Sequence, residues 1–141
     1  MILTTRGRYA VMAMVDIARN NNNSPISLAR ISSSQNIDIG YLEQIFNRLR
    51  KSGLVNSIKG PGGGYVLAYS STQIFVDSII KAVDEQIKMT RCKNSKEGCM
   101  LKGEKCLTHD LWEGLSNQIN QYLASISLAD ICNKKIELNY K

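Results

Sequence analysis

The sequence predicts a mainly α-helical fold with one small β-hairpin and a long helix near the C-terminus. Three observations carry this. Apolar residues recur at spacings of three and four in several separate stretches, as they do on helices buried along one face. Two β-prone runs flank Gly60-Pro61-Gly62-Gly63-Gly64, the pattern of a hairpin. A broad apolar stripe then runs from Leu111 to Ile126. At 141 residues, 43% hydrophobic and 21% charged, the chain has the size and composition of one globular domain.

The elements follow in order. Thr4 or Thr5 caps a first helix whose apolar face is Ala10, Ala13, Met14, Ile17 and Ala18. Asn20-Asn21-Asn22-Asn23-Ser24-Pro25 breaks it as a loop. Ser27 caps a short second helix bearing Leu28, Ala29 and Ile31, and Ser32 to Asn36 reads as a polar turn. Asp38 caps a third helix with Ile39, Leu42, Ile45, Phe46 and Leu49 on one face, and Gly53 follows its end. The other face is Gly40, Glu43, Gln44, Asn47, Arg48 and Lys51. Two helices joined by a short turn, the second polar and basic outside, have helix-turn-helix proportions.

The hairpin over residues 54–68 then reads as a wing, with Lys59 at its base and a glycine tip that lets backbone approach a DNA strand. A nucleotide-binding loop is excluded, because no Gly-Lys-Ser/Thr follows and the next run is a strand. Val76, Ile79, Ile80 and Val83 mark a fourth helix ending near Asp84-Glu85. Thr108 caps the long helix, where Leu111, Leu115, Ile119, Tyr122 and Ile126 form a stripe widened by Trp112 and Leu123. So broad a face suits a dimer seam, and two-fold dimers read palindromic DNA. Packing within one chain is the competing use. Residues 133–141 read as a frayed tail.

The net charge of +6 is uneven, with eight Lys/Arg against three Asp/Glu in residues 1–69 and ten against nine in residues 70–141. A basic N-terminal half suits an anionic partner such as nucleic acid. No apolar run approaches the length of a membrane span, and Met1 to Arg6 lacks a signal-peptide core. A cytoplasmic location is therefore expected, where clustered cysteines serve as ligands more often than as disulfides.

Three of the four cysteines and the single histidine fall within residues 92–109, as Cys92, Cys99, Cys106 and His109. Thiolate and imidazole suit zinc, iron or an iron–sulfur cluster. Zinc motifs usually pair ligands two to four residues apart, whereas the first two intervals here hold six residues. That spacing leans toward a wider cluster and leaves zinc open. His109 competes with a plain surface role, and Cys132, read as a small buried hydrophobe, is the rival fourth ligand.

Leu3-Thr4-Thr5-Arg6-Gly7-Arg8-Tyr9-Ala10-Val11, Tyr41 to Arg50 and Gly60-Pro61-Gly62-Gly63-Gly64-Tyr65 resemble the Rrf-type family of winged-helix repressors. Lys105-Cys106-Leu107-Thr108-His109-Asp110-Leu111-Trp112 resembles its IscR-like iron–sulfur branch. The match covers about residues 1 to 133. It implies a single domain over residues 2–131, with a DNA-binding part (2–86) whose helix-turn-helix spans 28–51. A cluster-binding loop (88–109) and dimerisation helices (109–132) follow. It further implies a homodimer with one [2Fe-2S] cluster per chain, held by Cys92, Cys99, Cys106 and His109. Each cysteine interval is one residue longer than the familiar pattern, Gly40 stands where a serine is familiar, and Lys59 replaces a wing arginine.

The resulting expectation is a non-enzymatic transcription regulator, mainly a repressor. It binds a near-palindromic double-stranded operator and takes its cluster from the iron–sulfur assembly machinery. Arg6, Arg8, Arg50 and the backbone at Gly60, Gly62, Gly63 and Gly64 hold phosphates, Glu43 and Gln44 read base edges, and Tyr41 and Lys59 complete the DNA face. A zinc-stabilised or metal-free repressor, or an iron–sulfur carrier, are the alternatives.

Overall fold

A computed structural model of the chain describes residues 4–20, 24–83 and 105–137. Helix α1 spans Thr5–Arg19 and buries Ala10, Ala13, Met14 and Ile17. Thr4 occupies its N-cap, but its hydroxyl makes no capping hydrogen bond. Helix α2 spans Leu28–Gln35, and the Ser27 side chain accepts from the Arg30 N–H at 3.2 Å. The polar run from Ser32, expected as a turn, is helical through Gln35. Asn36 then turns left-handed (φ 55°), and the Ile37 N–H returns to the Ser32 carbonyl at 3.2 Å. Ile37 is buried, so its packing fixes where the helix stops.

Helix α3 spans Ile39–Lys51, with the Asp38 carboxylate accepting from the Tyr41 N–H at 3.1 Å. Leu42, Ile45, Phe46 and Leu49 are buried. Ile39, expected on the same face, is exposed on the first helical turn. Gly53 closes α3 in the left-handed region, with the Leu54 N–H reaching the Leu49 carbonyl at 3.1 Å.

Strands β1 (Val55–Ile58) and β2 (Gly64–Leu67) pair antiparallel, Val55 opposite Leu67 and Ile58 opposite Gly64. The Gly63 N–H donates to the Gly60 carbonyl at 2.9 Å, with Pro61 and Gly62 (φ 75°) between them in the pattern of a type II turn. The far edge of β2 carries a bridge between Tyr65 and Ile26, with bonds of 2.8 and 3.0 Å. Gly64 is therefore not free tip backbone. A Cβ there would lie 2.3 Å from the Ile26 carbonyl oxygen.

Helix α4 spans Val76–Ala82, so it stops short of Asp84-Glu85, which lie outside the described residues. Helix α5 spans His109–Ser125 and packs on α4. Thr108 does not cap it through its side chain. Helix α6 (Leu128–Cys132) returns the chain to α1. The Val76 N–H donates to the Ile126 carbonyl and the Leu128 N–H to the Ile74 carbonyl, both at 2.9 Å. Leu128 is wholly buried in the one core cluster with Met14, Ile31, Leu42, Phe46, Leu49 and Ile79. Residues expected together as dimerisation helices thus divide, since α6 completes the winged body of its own chain. Ser127 and Asp130 form a reciprocal capping box at its start. The expected tail is ordered at first: Lys134 turns left-handed and the Lys135 N–H bonds the Asp130 carbonyl at 2.9 Å. No helix among the described residues is long and apolar enough to cross a membrane.

Candidate nucleic-acid interface and metal-ligand turn

The Asp38 cap and the buried Leu42–Leu49 face orient α3 so that Glu43, Gln44, Asn47 and Arg50 are exposed on its outer side. Arg50 is steadied by Asn47, whose side-chain oxygen accepts from its guanidinium at 3.1 Å. Tyr41 is half-buried and meets Tyr9 edge-on at 5.9 Å, so its ring braces α3 on α1. Arg8 and Lys59 are exposed. At the hairpin, Gly60 and Gly62 have open space around them, whereas Gly63 and Gly64 press on backbone of their own chain.

Arg6 sits where α1 begins. With Thr4, Thr5, Tyr41, Gln44, Ile45 and Arg48 it lines a cleft of about 330 Å³ between α1 and α3. Its Nε is buried and has no hydrogen-bond partner among the described residues. Arg48, expected on the polar outer face of α3, was not among the expected DNA contacts. Its four-residue spacing from Gln44 is the signal that places it on the cleft wall.

Cys92 and Cys99 lie outside the described residues. Cys106 and His109 share one turn, the His109 N–H donating to the Cys106 carbonyl at 3.1 Å. The Cys106 thiol is free, half-buried and 3.6 Å from the Thr108 hydroxyl. His109 is buried rather than a surface residue, with Nε2 3.2 Å from a Glu113 carboxylate oxygen. Ligand atoms of His109, Asp110 and Glu113 lie within 4.8 Å of one another. Sequence reasoning missed both acids, although the four-residue step from His109 to Glu113 was there to be read. A soft sulfur and a borderline nitrogen on one turn fit zinc or an iron–sulfur centre.

Cys132 stands apart, with its thiol directed at the Val15 carbonyl on α1 at 4.0 Å. It is half-buried, less than expected, and that burial pushes its thiol up, disfavouring the thiolate a metal needs. On α5 the expected stripe splits. Leu111, Trp112, Leu115 and Tyr122 are exposed, while Ile119, Leu123 and Ile126 are half-buried.

Comparisons with known proteins match this arrangement. A family model described as Rrf2, iron-dependent transcriptional regulator, covers residues 3–134. The HTH-type transcriptional regulator IscR of Xenorhabdus nematophila is 53% identical over 131 residues, 93% of this chain and 79% of that protein. IscR of Yersinia enterocolitica is 50% identical over 135 residues, 96% of this chain and 81% of its own length. Among solved structures, T. potens IscR has a TM-score of 0.78 at 33% identity, covering 100% of this chain and 93% of its own. CymR, the global cysteine regulator of B. subtilis, has a TM-score of 0.81 at 30% identity, covering 95% and 98%. With its helices, its hairpin and its matches along nearly the whole length, the chain belongs to the Rrf2 family of winged-helix transcriptional regulators and is of the IscR type.

Proposed function

We propose that this regulator senses iron–sulfur status through a [2Fe-2S] cluster held by Cys92, Cys99, Cys106 and His109, and controls iron–sulfur assembly genes. The observation that carries the reading is the Cys106–His109 turn at the root of α5. It places a free thiol and a buried imidazole at the start of the helix that packs on α4. When bound, the cluster supplies a redox-active, oxidant-sensitive centre whose occupancy follows iron and sulfur supply. A neutral imidazole is a weaker donor to iron than an anionic thiolate, so this ligand set releases its cluster sooner than four cysteines would. The exposed Glu43 and Gln44 read base edges, while Arg6, Arg8, Arg50, Lys59 and backbone at Gly60 and Gly62 hold phosphates.

Two copies associate through α5. Four large apolar side chains, Leu111, Trp112, Leu115 and Tyr122, stand exposed on one helix, and a second copy with the same face is their natural cover. The dimer then presents two α3 helices to a near-palindromic operator.

The deciding experiment is anaerobic reconstitution with iron and sulfide, followed by metal and acid-labile sulfide analysis. DNA-binding measurements on the apo and loaded protein complete it. Iron and sulfide together, with a loaded form that selects different DNA, support the reading. Zinc alone favours a zinc-stabilised repressor. Cluster transfer to an apo-protein without DNA binding by either form favours a carrier.

A further inference from the structure

We propose that the cleft between α1 and α3 seats one phosphate of the DNA backbone, with Arg48 as the second guanidinium beside Arg6. The proposal rests on the reading that α3 faces DNA and adds a built site to it. Three observations point there. Two guanidinium groups, the Gln44 amide and the hydroxyls of Thr4 and Thr5 line the cleft, with no carboxylate among the described lining residues. The Arg6 Nε is buried without a partner among the described residues, a state that calls for an acceptor to repay it. A phosphate oxygen arriving with the ligand is such an acceptor, and the planar guanidinium matches it in geometry.

The third observation is the open end of α1. Thr4 makes no side-chain cap and the first turn has no acidic residue, so the helix itself supplies no anion to its first amides and the positive end of its dipole. Gln44 belongs to the cleft wall and also to the exposed face of α3. A phosphate seated there would therefore fix how deeply α3 enters the groove. The volume of about 330 Å³ leaves room for the attached sugar.

The test uses the full-length protein and a duplex selected from a random pool by the wild type. Arg48→Ala and Arg6→Ala should each weaken binding about tenfold, by the same factor on the selected and on a scrambled duplex. Each should flatten the dependence of log affinity on log salt, and the double variant should flatten it by about 0.9 per bound protomer. Arg48→Lys should restore the slope but only part of the affinity. A methylphosphonate scan leaves the protein intact and guards against a variant that misfolds. One neutralised phosphate per half-site should weaken the wild type and weaken Arg48→Ala distinctly less. An unchanged salt slope in Arg48→Ala, a loss confined to one base pair, or no phosphate coupled to Arg48 overturns the proposal. If Glu43 and Gln44 variants are also silent, the failure lies in the orientation of α3 rather than in the seat.

Discussion

Gly64→Ala should damage this protein far more than its place in a glycine-rich hairpin suggests. An added methyl would lie 2.3 Å from the Ile26 carbonyl oxygen and 2.7 Å from the Ser27 nitrogen, both backbone atoms. Neither can move alone, because Ile26 exchanges two hydrogen bonds with Tyr65 and Ser27 caps α2. Relief requires opening that bridge. Two backbone bonds are worth about 1 kcal/mol each net, and forcing a methyl into packed surroundings adds roughly 1–3 kcal/mol. The expected loss is about 4 kcal/mol, a large share of the roughly 5–15 kcal/mol that holds a domain folded. Gly62→Ala is the control. Its φ of 75° strains alanine, but nothing lies within 4 Å of the added methyl, so about 1–2 kcal/mol is expected. Urea unfolding of both variants measures the difference. A Gly64→Ala protein within 1 kcal/mol of the wild type, or no worse than Gly62→Ala, would refute the reasoning.

Five further outcomes are expected. Leu115→Lys should weaken self-association at least a hundredfold in sedimentation, since it sets a charge on both copies of the exposed α5 face; an unchanged dimer would place the seam elsewhere. Ser127→Ala should cost about 1 kcal/mol in thermal unfolding. Hydrogen bonds from Ser127 hold the Asp130 carboxyl below the usual carboxylate range, so its stabilisation is complete above about pH 4 and is lost as pH falls through the lowered folded value; Asp130→Asn should flatten that part of the acid-unfolding curve. Glu43→Ala should widen the set of duplexes bound, because the carboxylate repels base pairs that offer it no donor; an unchanged selection profile would remove Glu43 from the reading face. His109→Cys should keep its cluster longer in air, and a faster loss of visible absorbance would reverse the lability argument.

The helices were legible because they carry an apolar period, and α2 and α3 a side-chain cap as well. Ser27, Asp38 and Gly53 announce ends that the structure places within a residue or two. The misreadings share a cause: tertiary contact outweighed local polarity. Ser32 to Gln35 has the composition of a turn, yet burial of Ile37 carries the helix through it. The sequence puts Leu128 to Cys132 among the dimerisation helices but does not show what they pack on. Hydrogen bonds from Leu128 to Ile74 and from Ala129 to Ser71, each separated by more than fifty residues of sequence, fold α6 back. No window along the chain contains that pairing.

The two candidate sites were legible to different degrees for a related reason. The three-residue step from Cys106 to His109 lies at a helix start, so backbone geometry brings the two donors onto one turn. The seven-residue steps that link Cys92, Cys99 and Cys106 fix ligand type and order but no separation. On the DNA face, position 40 shows the same limit. A Cβ on Gly40 would approach the Asp38 carboxylate to 3.2 Å, the group that caps the helix through the Tyr41 N–H. A serine there would crowd the cap as well as offering a hydroxyl to DNA. Its absence therefore says as much about how α3 begins as about what α3 reads. Selection profiles of Gly40→Ser and Gly40→Ala would separate the two effects, since both crowd the cap and only serine adds a hydrogen-bonding group.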